Sequence, residues 1–467
     1  MRVRLLGQYV HVSIAVLAAF EAVVFFIALL LAYRLRFHTW YPTAEPSAHG
    51  SLWLAATGFT IVNLLSVLAL GLYSSRQRAR TTGVFVRLVA AIFAASLVTG
   101  SVFYIFPSLF LGRGVLALAS LFAFIGASIA RATFARLVDE TLFKRRVLVY
   151  GVGQRTTAIS SLRRRSDRRG FEIVGFMQPD GEKVSVPPER VHGTPNGILA
   201  LCSSFDVDEI VVAMEDRRRG FPILGLLECR LAGIEITELL TFLERETGRV
   251  RIDVLNPSWM IFGEGFRRDP LRLFSSRTLD LVASLLLLIL SLPVMLLTML
   301  AIKCEDGWRA PVFYGQARVG LGGHPFTVLK FRSMRTDAER DGQAQWAQKS
   351  DPRVTRVGAI IRKLRIDELP QILNVLSGHM SFVGPRPERP QFVAELAQKI
   401  PYYVQRHCVK PGITGWAQLC YPYGSSEQDA LEKLQYDLYY IKNNTLLFDL
   451  AILVQTAEVV FMGKGAR

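Results

Sequence analysis

Four apolar stretches fill the first 130 residues of the chain, and they constrain its fold more than any other feature. They cover Ser13–Tyr33, Leu52–Tyr73, Val84–Phe106 and Arg113–Ala130. Each approaches the roughly 20 residues that an α-helix needs to cross a bilayer. Three further stretches follow the first one, so a cleavable signal peptide does not explain it. We therefore predict a four-helix transmembrane bundle over residues 1–143.

Basic residues mark the ends of the bundle that we place in the cytoplasm. Residues 1–146 contain 14 Lys or Arg and 4 Asp or Glu. Most of the basic residues precede the first stretch, follow the second or follow the fourth: Arg2, Arg4, Arg76, Arg78, Arg80, Arg131, Arg136, Lys144, Arg145 and Arg146. The positive-inside rule then puts both ends of the bundle in the cytoplasm. Glu21 is the charge that stands out within the stretches, and an ion or proton relay would need more partners, so we interpret the bundle as an anchor.

Residues 144–262 have a different pattern, in which short β-branched runs alternate with polar helical stretches. The predicted strands are Val147–Tyr150, Glu172–Met177, Asp208–Ala213 and Ile234–Thr237. Alternation of this kind indicates a parallel α/β sheet, and we predict a Rossmann-like domain.

The first of these strands leads into a glycine-containing turn. Gly151 and Gly153 match the first two glycines of the dinucleotide-binding turn, but Thr156 stands where that turn has its third glycine. No tyrosine lies between Tyr150 and Tyr314, so the tyrosine–lysine pair of a nucleotide-sugar dehydratase or epimerase is absent. Two interpretations stay open: a fold without chemistry of its own, and a regulatory nucleotide site at Gly151 and Gly153.

The net charge of +16 indicates anionic partners without naming one. It arises from 55 Lys or Arg against 39 Asp or Glu and fits anionic lipids, phosphorylated substrates and nucleic acid alike. Arginines cluster at 163–165, 168–169 and 217–219, but they lack the interleaved aromatic residues of nucleic-acid-binding segments. We therefore predict surfaces that face water or membrane lipids, and no nucleic-acid partner. The five cysteines form no CxxC pair, so we expect neither a disulfide framework nor a zinc site.

A fifth apolar run, Leu281–Ile302, is long enough to span the membrane, but we predict that it does not. Because the preceding sheet domain is cytoplasmic by the charge rule, a crossing would export everything that follows. Proline removes a helix hydrogen bond and bends the axis, as we expect at Pro293, and the hydroxyl of Ser291 can help to satisfy the freed carbonyl. We predict a re-entrant helix over residues 279–302 that bends there and leaves on the same side. A plain fifth span is the alternative.

The densest motifs lie between residues 311 and 417. They read Pro-Val-Phe-Tyr at 311–314, Gln-Ala-Arg-Val-Gly at 316–320, Lys-Phe-Arg-Ser-Met at 330–334, Asp-Glu-Leu-Pro-Gln at 367–371, Ser-Phe-Val-Gly-Pro-Arg-Pro-Glu at 381–388 and Lys-Pro-Gly-Ile-Thr-Gly-Trp at 410–416. In this order the segment resembles the bacterial sugar transferase family, the monotopic polyprenol-phosphate phosphoglycosyl transferases. The resemblance extends from Arg277 to the C-terminus. The whole layout resembles the long, exopolysaccharide-associated branch of that family.

Together with the patterns above, the resemblance implies a membrane protein of three parts: the α-helical transmembrane bundle 1–143, the α/β Rossmann-like domain 144–262 and an α/β monotopic catalytic domain 271–467 with the re-entrant helix. It implies transfer of a sugar 1-phosphate from a UDP-sugar to undecaprenyl phosphate, with release of UMP, on the cytoplasmic face of a bacterial inner membrane. The product would begin an exopolysaccharide or O-antigen repeat unit. Membrane lipids are expected partners, a homodimer is a candidate assembly, and no motif identifies the sugar.

Asp367 and Glu368 are candidates for catalysis from their surroundings alone. They are adjacent acids at the start of a helix that we predict over Leu369–Ser377. Four cationic residues lie near them in the sequence: Arg362, Lys363, Arg365 and Arg386. Phosphoryl transfer needs a nucleophile and charge neutralisation on the phosphate oxygens. The alternative is that Asp367 only caps the helix.

By resemblance, Asp367 is the nucleophile that forms an aspartyl–phosphosugar intermediate, and Glu368 binds Mg²⁺. The predicted substrate and phosphate contacts are Lys330, Arg332, Arg365 and Arg386, with a solvated-loop role as the alternative for the first two. Two other classes of protein stay as rivals. A membrane-anchored dehydratase or epimerase would need the missing tyrosine–lysine pair, and a non-enzymatic sensor would require both acids to be dispensable.

Overall fold

The computed structural model of the chain describes residues 2–5, 8–38, 52–73, 81–106, 111–137, 144–160, 162, 170–193, 197–216, 220–255, 260, 270–335, 353–421, 424 and 426–461. Contacts divide the chain into two compact units, Met1–Thr247 and Gly248–Arg467. The predicted three-part division stays a prediction. Residues 248–255, which we assigned to the sheet domain, belong by their contacts to the second unit. The arginine patches at 163–165, 168–169 and 217–219 lie outside the described residues.

The first unit begins with a short hairpin and continues with long apolar helices. The hairpin pairs β1 (Arg2–Leu5) with β2 (Gln8–His11). The helices are α1 (Val12–Phe37), α2 (Leu52–Ala69), α3 (Thr81–Ile105) and α4 (Arg113–Leu137). Each contains a segment that is long and apolar enough to cross a membrane. The four predicted apolar stretches are thus confirmed as helices.

Glu21 of α1 is buried and paired, although its partners are far away in the sequence. Arg131 of α4, which we counted as a flanking charge, places its Nε 2.6 Å from Glu21 Oε1. The hydroxyl of Tyr73, shortly after α2, donates to Glu21 Oε2 at 2.5 Å. A buried ion pair needs such additional hydrogen bonds to offset its desolvation. The cluster joins α1 and α4 to the segment that follows α2, and the role of the bundle as an anchor stays a prediction.

The rest of the first unit is a parallel five-stranded sheet with helices. The strands are β3 (Arg145–Tyr150), β4 (Phe171–Met177), β5 (Val191–His192), β6 (Glu209–Val212) and β7 (Glu235–Glu238), in the order β5-β4-β3-β6-β7. The helices are α5 (Thr157–Ser160), α6 (Ile198–Ser204), α7 (Ile223–Leu231) and α8 (Leu239–Thr247). The four predicted strands and the parallel α/β class are confirmed. Strand β5 was missed because two residues are too short for a sequence signal.

Both glycines of the turn after β3 permit close packing at the carboxyl edge of the sheet. Gly151 has a φ of +137°, and a Cβ there would lie 2.7 Å from the carbonyl carbon of Ala213. A Cβ at Gly153 would collide with the side chain of Glu215. A larger side chain at either position would displace its neighbour, so the packing of this edge is enough to explain the glycines.

The amide groups of this turn are already engaged by the protein itself. Val152 N donates to Glu182 Oε2 at 2.8 Å, and Gln154 N donates to Glu215 Oε1 at 2.6 Å. A bound phosphate would use backbone amides of this kind. These amides therefore have partners within the protein, and the predicted regulatory nucleotide site at Gly151 and Gly153 stays a prediction.

The second unit contains the long helix α9 (Pro270–Asp306), which includes the fifth apolar run. Its 37 residues continue through Pro293 as one helix. By length and composition this helix could cross a membrane, and the predicted re-entrant topology stays a prediction. Ser291 Oγ lies 3.6 Å from Met295 Sδ. The expectation that this hydroxyl satisfies the carbonyl freed by Pro293 is therefore wrong.

Short strands and helices complete the second unit. The strands are β8 (Phe313–Val319), β9 (Pro325–Phe331), β10 (Ser381–Val383) and β11 (Gly412–Thr414). The helices are α10 (Arg356–Lys363), α11 (Gln371–Leu376), α12 (Pro390–Lys399), α13 (Trp416–Cys420), α14 (Glu427–Asn443) and α15 (Leu446–Phe461). β8 pairs antiparallel with β9, and β10 pairs parallel with β11. An apolar cluster that includes Met295, Phe331 and Ile361 packs α9 against β9 and α10.

Polar contacts fasten the base of α9 to this unit. Arg277 donates through Nη1 and Nη2 to the last two carbonyl oxygens of α11, each at 2.7 Å. Asp280 Oδ1 accepts hydrogen bonds from Ser381 Oγ and Phe382 N, each at 2.9 Å. Because the last carbonyls of a helix lack partners within it, the Arg277 contacts stabilise the end of α11. The apolar helix is thereby joined directly to α11 and β10.

Candidate active site

Asp367 and Glu368 lie in one tight turn before α11. The turn is a 3₁₀ segment, and Arg365 before it has a left-handed φ of +60°. Helix α11 begins at Gln371, two residues later than predicted, and Pro370 occupies its N-cap position. Asp367 is therefore not the cap of this helix, and the capping interpretation is wrong.

Asn374 fixes α11 against strand β9. Leu329 N donates to Asn374 Oδ1 at 2.9 Å, and Asn374 Nδ2 donates to Thr327 O at 2.8 Å. Both polar atoms of this buried side chain are thereby satisfied. Because Lys330 directly follows Leu329 in β9, these two bonds also set its position relative to the turn.

One oxygen of Glu368 faces three cations. Glu368 Oε1 lies 3.5 Å from Lys330 Nζ, 3.4 Å from Arg365 Nη1 and 3.3 Å from Arg386 Nη2. Lys330, Arg365 and Arg386 together form what we call the cationic cluster. Burial by itself raises the pKa of Glu368. The charges of Arg386, Lys330 and Arg365 have the larger combined effect and bring this pKa down from 4.5 to about 2. The carboxylate is ionised at neutral pH and is the counter-charge of the cluster.

The surroundings of Asp367 differ from those of Glu368. Its side chain is buried, with 9% of the residue exposed. Within the described part of the chain, its carboxylate takes part in no hydrogen bond or ion pair. Burial and the charge of Glu368 raise the pKa of Asp367, although Lys330, Arg362 and Arg365 oppose the rise. A carboxylate with a raised pKa and uncommitted oxygens is suited to act as a nucleophile.

The structure brings together most of the predicted site residues. Lys330, Arg365 and Arg386 meet at Glu368, next to Asp367. Arg332 follows β9 and makes no ion pair with Glu368 among the described contacts. Its Nη1 is buried and has no hydrogen-bond partner in the described residues, so this donor is consistent with the predicted phosphate contact.

The donor set for a metal is small. Within the described ranges, no group of three or more His, Cys, Asp and Glu residues could hold an ion by itself. Mg²⁺, however, is usually bound through one or two carboxylates together with substrate phosphates. The ion pairs of Glu368 all use Oε1, which leaves Oε2 as a hard oxygen ligand beside Asp367. These residues fit an Mg²⁺ ion that takes its other ligands from a substrate.

Arg386 reaches the cluster from the loop that follows β10. A Cβ at Gly384 in this loop would lie 2.8 Å from Gly412 N, so only glycine permits the two backbones to approach so closely. Gly384 N also donates to Thr414 O at 2.9 Å. These contacts join two of the sequence motifs, those at 381–388 and 410–416, into one structural feature that positions Arg386.

The segment just before the predicted catalytic domain also belongs to the unit that contains the site. Arg249 forms an ion pair with Glu432 of α14, 183 positions away. Val250 N donates to Gln435 O at 3.0 Å, and Trp416 Nε1 donates to Gly248 O at 2.8 Å. No motif indicated these contacts, because the partners are far apart in the sequence.

Comparison with known proteins agrees with this site. Residues 271–463 match the bacterial sugar transferase family, and residues 68–228 match a CoA-binding domain. A Klebsiella pneumoniae protein named UDP-glucose:undecaprenyl-phosphate glucose-1-phosphate transferase is 33% identical over 69% of this chain and 69% of its own length. The chain belongs to the bacterial sugar transferase family. The resemblance predicted from the motifs is thus confirmed, and the protein is a transferase.

Two further relatives illustrate the range of similar proteins. A Xanthomonas campestris pv. campestris protein, also named UDP-glucose:undecaprenyl-phosphate glucose-1-phosphate transferase, is 29% identical over 99% of this chain and 96% of its own length. An Aeromonas hydrophila protein is 44% identical over 52% of this chain and 56% of its own length. It is named UDP-N-acetylgalactosamine-undecaprenyl-phosphate N-acetylgalactosaminephosphotransferase. The names of the relatives therefore differ in the sugar.

Proposed function

We propose that this transferase moves a sugar 1-phosphate from a UDP-sugar to undecaprenyl phosphate and releases UMP. The decisive observation is the contrast between two adjacent carboxylates: three cations hold Glu368, whereas Asp367 is buried and uncommitted. The names of the three relatives support undecaprenyl phosphate as the acceptor and a UDP-sugar as the donor. The sugar stays open, because those names include both glucose and N-acetylgalactosamine.

The covalent step uses Asp367 as the nucleophile. Its carboxylate oxygen forms a bond to the phosphorus that carries the sugar, the bond from this phosphorus to the UMP oxygen breaks, and UMP leaves with the electron pair. The sugar 1-phosphate is then an acyl phosphate on Asp367. A phosphate oxygen of undecaprenyl phosphate attacks the same phosphorus and releases the Asp367 carboxylate. The product is a sugar linked to undecaprenyl diphosphate.

The cationic cluster supplies the electrostatic part of the reaction. Arg365 and Arg386 each have five N–H donors, so they can contact phosphate oxygens while they remain near Glu368. Burial is the main influence that lowers the pKa of Lys330, and the charge of Glu368 opposes it. An Mg²⁺ ion bound at Glu368 would neutralise further negative charge on the phosphate oxygens.

We place this reaction at the cytoplasmic face of a bacterial inner membrane. The basic ends of the α1–α4 bundle support this orientation. Arg277 in the first part of α9 contacts the end of α11, the helix that follows the turn of Asp367 and Glu368. This contact supports a site close to the apolar helix and accessible to a lipid substrate. In this role the enzyme would work among membrane lipids and begin an exopolysaccharide or O-antigen repeat unit. A homodimer stays a prediction.

A panel of UDP-sugars tests the reaction. The full-length protein in nanodiscs is incubated with each sugar nucleotide and undecaprenyl phosphate, and released UMP is measured. At least one sugar should give UMP in an amount that depends on the lipid. An absence of UMP with every sugar would overturn the proposed reaction.

A trapping experiment tests the nucleophile. Without the lipid acceptor, UDP-sugar labelled in the sugar should leave label on the peptide that contains Asp367. Asp367→Asn should abolish both trapping and turnover. Asp253→Asn is the matched control, since Asp253 is exposed and pairs only with Arg251 among the described contacts. Label on another peptide, or near-normal turnover in Asp367→Asn, would contradict the covalent mechanism.

A further inference from the structure

The loop that contains Arg386 is fixed by hydrogen bonds to its backbone carbonyl groups. Residues 385 and 387 are prolines and have no backbone N–H, so the loop cannot be fixed by donating at these positions. Instead, each carbonyl oxygen from residue 385 to residue 388 accepts one hydrogen bond. The donors are, in order, Gly412 N at 2.9 Å, Arg406 Nη2 at 3.0 Å, Arg318 Nη1 at 3.1 Å and Val319 N at 3.0 Å. The carbonyl of Arg386 itself is therefore held by a side chain.

That side chain is buried and has an acidic partner on a different element. Arg406 is 5% exposed, and Asp437 of α14 is 2% exposed. Arg406 Nη2 lies 2.8 Å from Asp437 Oδ2, and Arg406 Nη1 donates to the hydroxyl of Tyr403 at 2.8 Å. Burying an arginine and an aspartate is costly unless the two charges are paired, as they are here. Arg406 Nε and Asp437 Oδ2 have no hydrogen-bond partner among the described residues, so the ion pair is the main compensation for burying Asp437. No sequence motif indicated this pair.

The contacts form a short path from α14 to the turn that contains Asp367 and Glu368. Asp437 orients the guanidinium of Arg406, and the same Nη2 atom holds the carbonyl of Arg386. The side chain of Arg386 then reaches Glu368 Oε1 at 3.3 Å. The guanidinium of Arg406 uses separate nitrogens for its contacts: Nη1 for the Tyr403 hydroxyl, and Nη2 for the Arg386 carbonyl and the ion pair with Asp437. A lysine would have to make all these contacts from one nitrogen, so it does not reproduce this geometry.

We infer that Arg406, oriented by Asp437, is a positioning residue that aims Arg386 at the phosphate groups of the substrate. This inference rests on the proposed function, because it concerns the same site. The competing interpretation is that the buried pair only stabilises the fold. The hydrogen bond to the Arg386 carbonyl separates the two, since a purely stabilising pair would act independently of the Arg386 side chain.

A double-mutant cycle tests this dependence in the full-length protein. The four proteins are the wild type, Arg406→Lys, Arg386→Ala and the double variant, and kcat/KM for UMP release is measured for each. A misplaced binding group can cost about 100-fold in rate, so we expect a loss of about that size in Arg406→Lys. If Arg406 acts through Arg386, the double variant should be no slower than Arg386→Ala alone. Arg309→Lys is the matched control, because Arg309 is exposed, and it should retain wild-type kcat/KM.

Thermal unfolding and equilibrium binding of UDP-sugar are measured on the same proteins. A double variant whose loss equals the product of the two single losses would overturn the inference and leave the proposed function intact. If the wild type binds UDP-sugar but releases no UMP, the proposed function fails, and the cycle is then evaluated from the binding constants with the same criterion. If Arg406→Lys does not fold, Tyr403→Phe replaces it, since this change removes one hydroxyl and leaves the ion pair in place. It should lower kcat/KM in the wild type but not in Arg386→Ala, and an equal effect in both would overturn the inference.

Discussion

Replacing the two carboxylates of the site by their amides, one at a time, should change stability in opposite directions. Glu368→Gln should lower the free energy of unfolding of the transferase. Asp367→Asn should leave it unchanged or raise it. Both substitutions should remove turnover. The reason is that Glu368 is stabilised as an anion by the cationic cluster, whereas burial and its acidic neighbour disfavour the charge of Asp367.

The loss of unfolding free energy that we expect in Glu368→Gln follows from the pKa of Glu368. Burial raises this pKa, but Arg386, Lys330 and Arg365 bring it from 4.5 down to about 2. At about 1.36 kcal/mol per pKa unit, the charged carboxylate stabilises the folded state by about 3 kcal/mol at neutral pH. Because the folded-state pKa is the lower one, this contribution is complete above pH 4.5 and is lost as the pH falls towards 2. For domains of 150–250 residues it corresponds to a fall in Tm of roughly 6–12 °C.

The charge of Asp367 has the opposite effect on stability. Its pKa is raised in the folded state, so ionisation above the ordinary value of 3.8 destabilises the fold relative to the unfolded chain. Asparagine has nearly the same shape and no charge, so it removes this penalty. If the charge of Asp367 serves catalysis at a cost in stability, Asp367→Asn should lose activity and keep its stability.

Thermal unfolding at pH 7, followed by tryptophan fluorescence, measures both variants beside a UMP-release assay. The matched control is Glu395→Gln, which removes an exposed ion pair with Lys399 and should change stability by at most about 0.5 kcal/mol. The difference between wild type and Glu368→Gln should narrow only at strongly acidic pH. A lower Tm in Asp367→Asn than in Glu368→Gln would refute the electrostatic assignment of the two acids.

Three further predictions concern other parts of the chain. Glu21→Gln leaves Arg131 buried without its counter-ion and should cost about 3–5 kcal/mol in an unfolding titration, whereas a cost below 1 kcal/mol would contradict the buried pair. Asn374→Ala releases α11 from β9 and leaves a buried amide unsatisfied, so it should cost about 1–3 kcal/mol and reduce UMP release, and wild-type turnover would contradict its positioning role. Leu271→Cys and Arg309→Cys, each in a background without native cysteines, should react with a membrane-impermeant reagent from the same side of the membrane, and opposite sides would refute the re-entrant helix.

Several features of the site could be predicted because their signals are local. Asp367 and Glu368 are adjacent, Arg365 lies two residues before them, and Lys330 and Arg386 lie in short motifs of family-like spacing. The helix start was less accurate, because Pro370 permits either a cap or a 3₁₀ turn and the choice depends on packing. The hydroxyl of Ser291 was misassigned for a similar reason, since its partner Met295 competes with the backbone in a way that composition does not reveal.

The sequence by itself determined the elements of this protein: the apolar helices, the parallel sheet and the family-like transferase segment. Apolar runs of about 20 residues, β-branched runs and motif spacing act over short stretches of chain, so they are visible without coordinates. Only the tertiary structure decided which charges meet. Glu21 pairs with Arg131, which is 110 positions away in the sequence, and Arg406 pairs with the buried Asp437. Such contacts depend on distance and burial in space, which is why two neighbouring acids of the same turn have pKa values shifted in opposite directions.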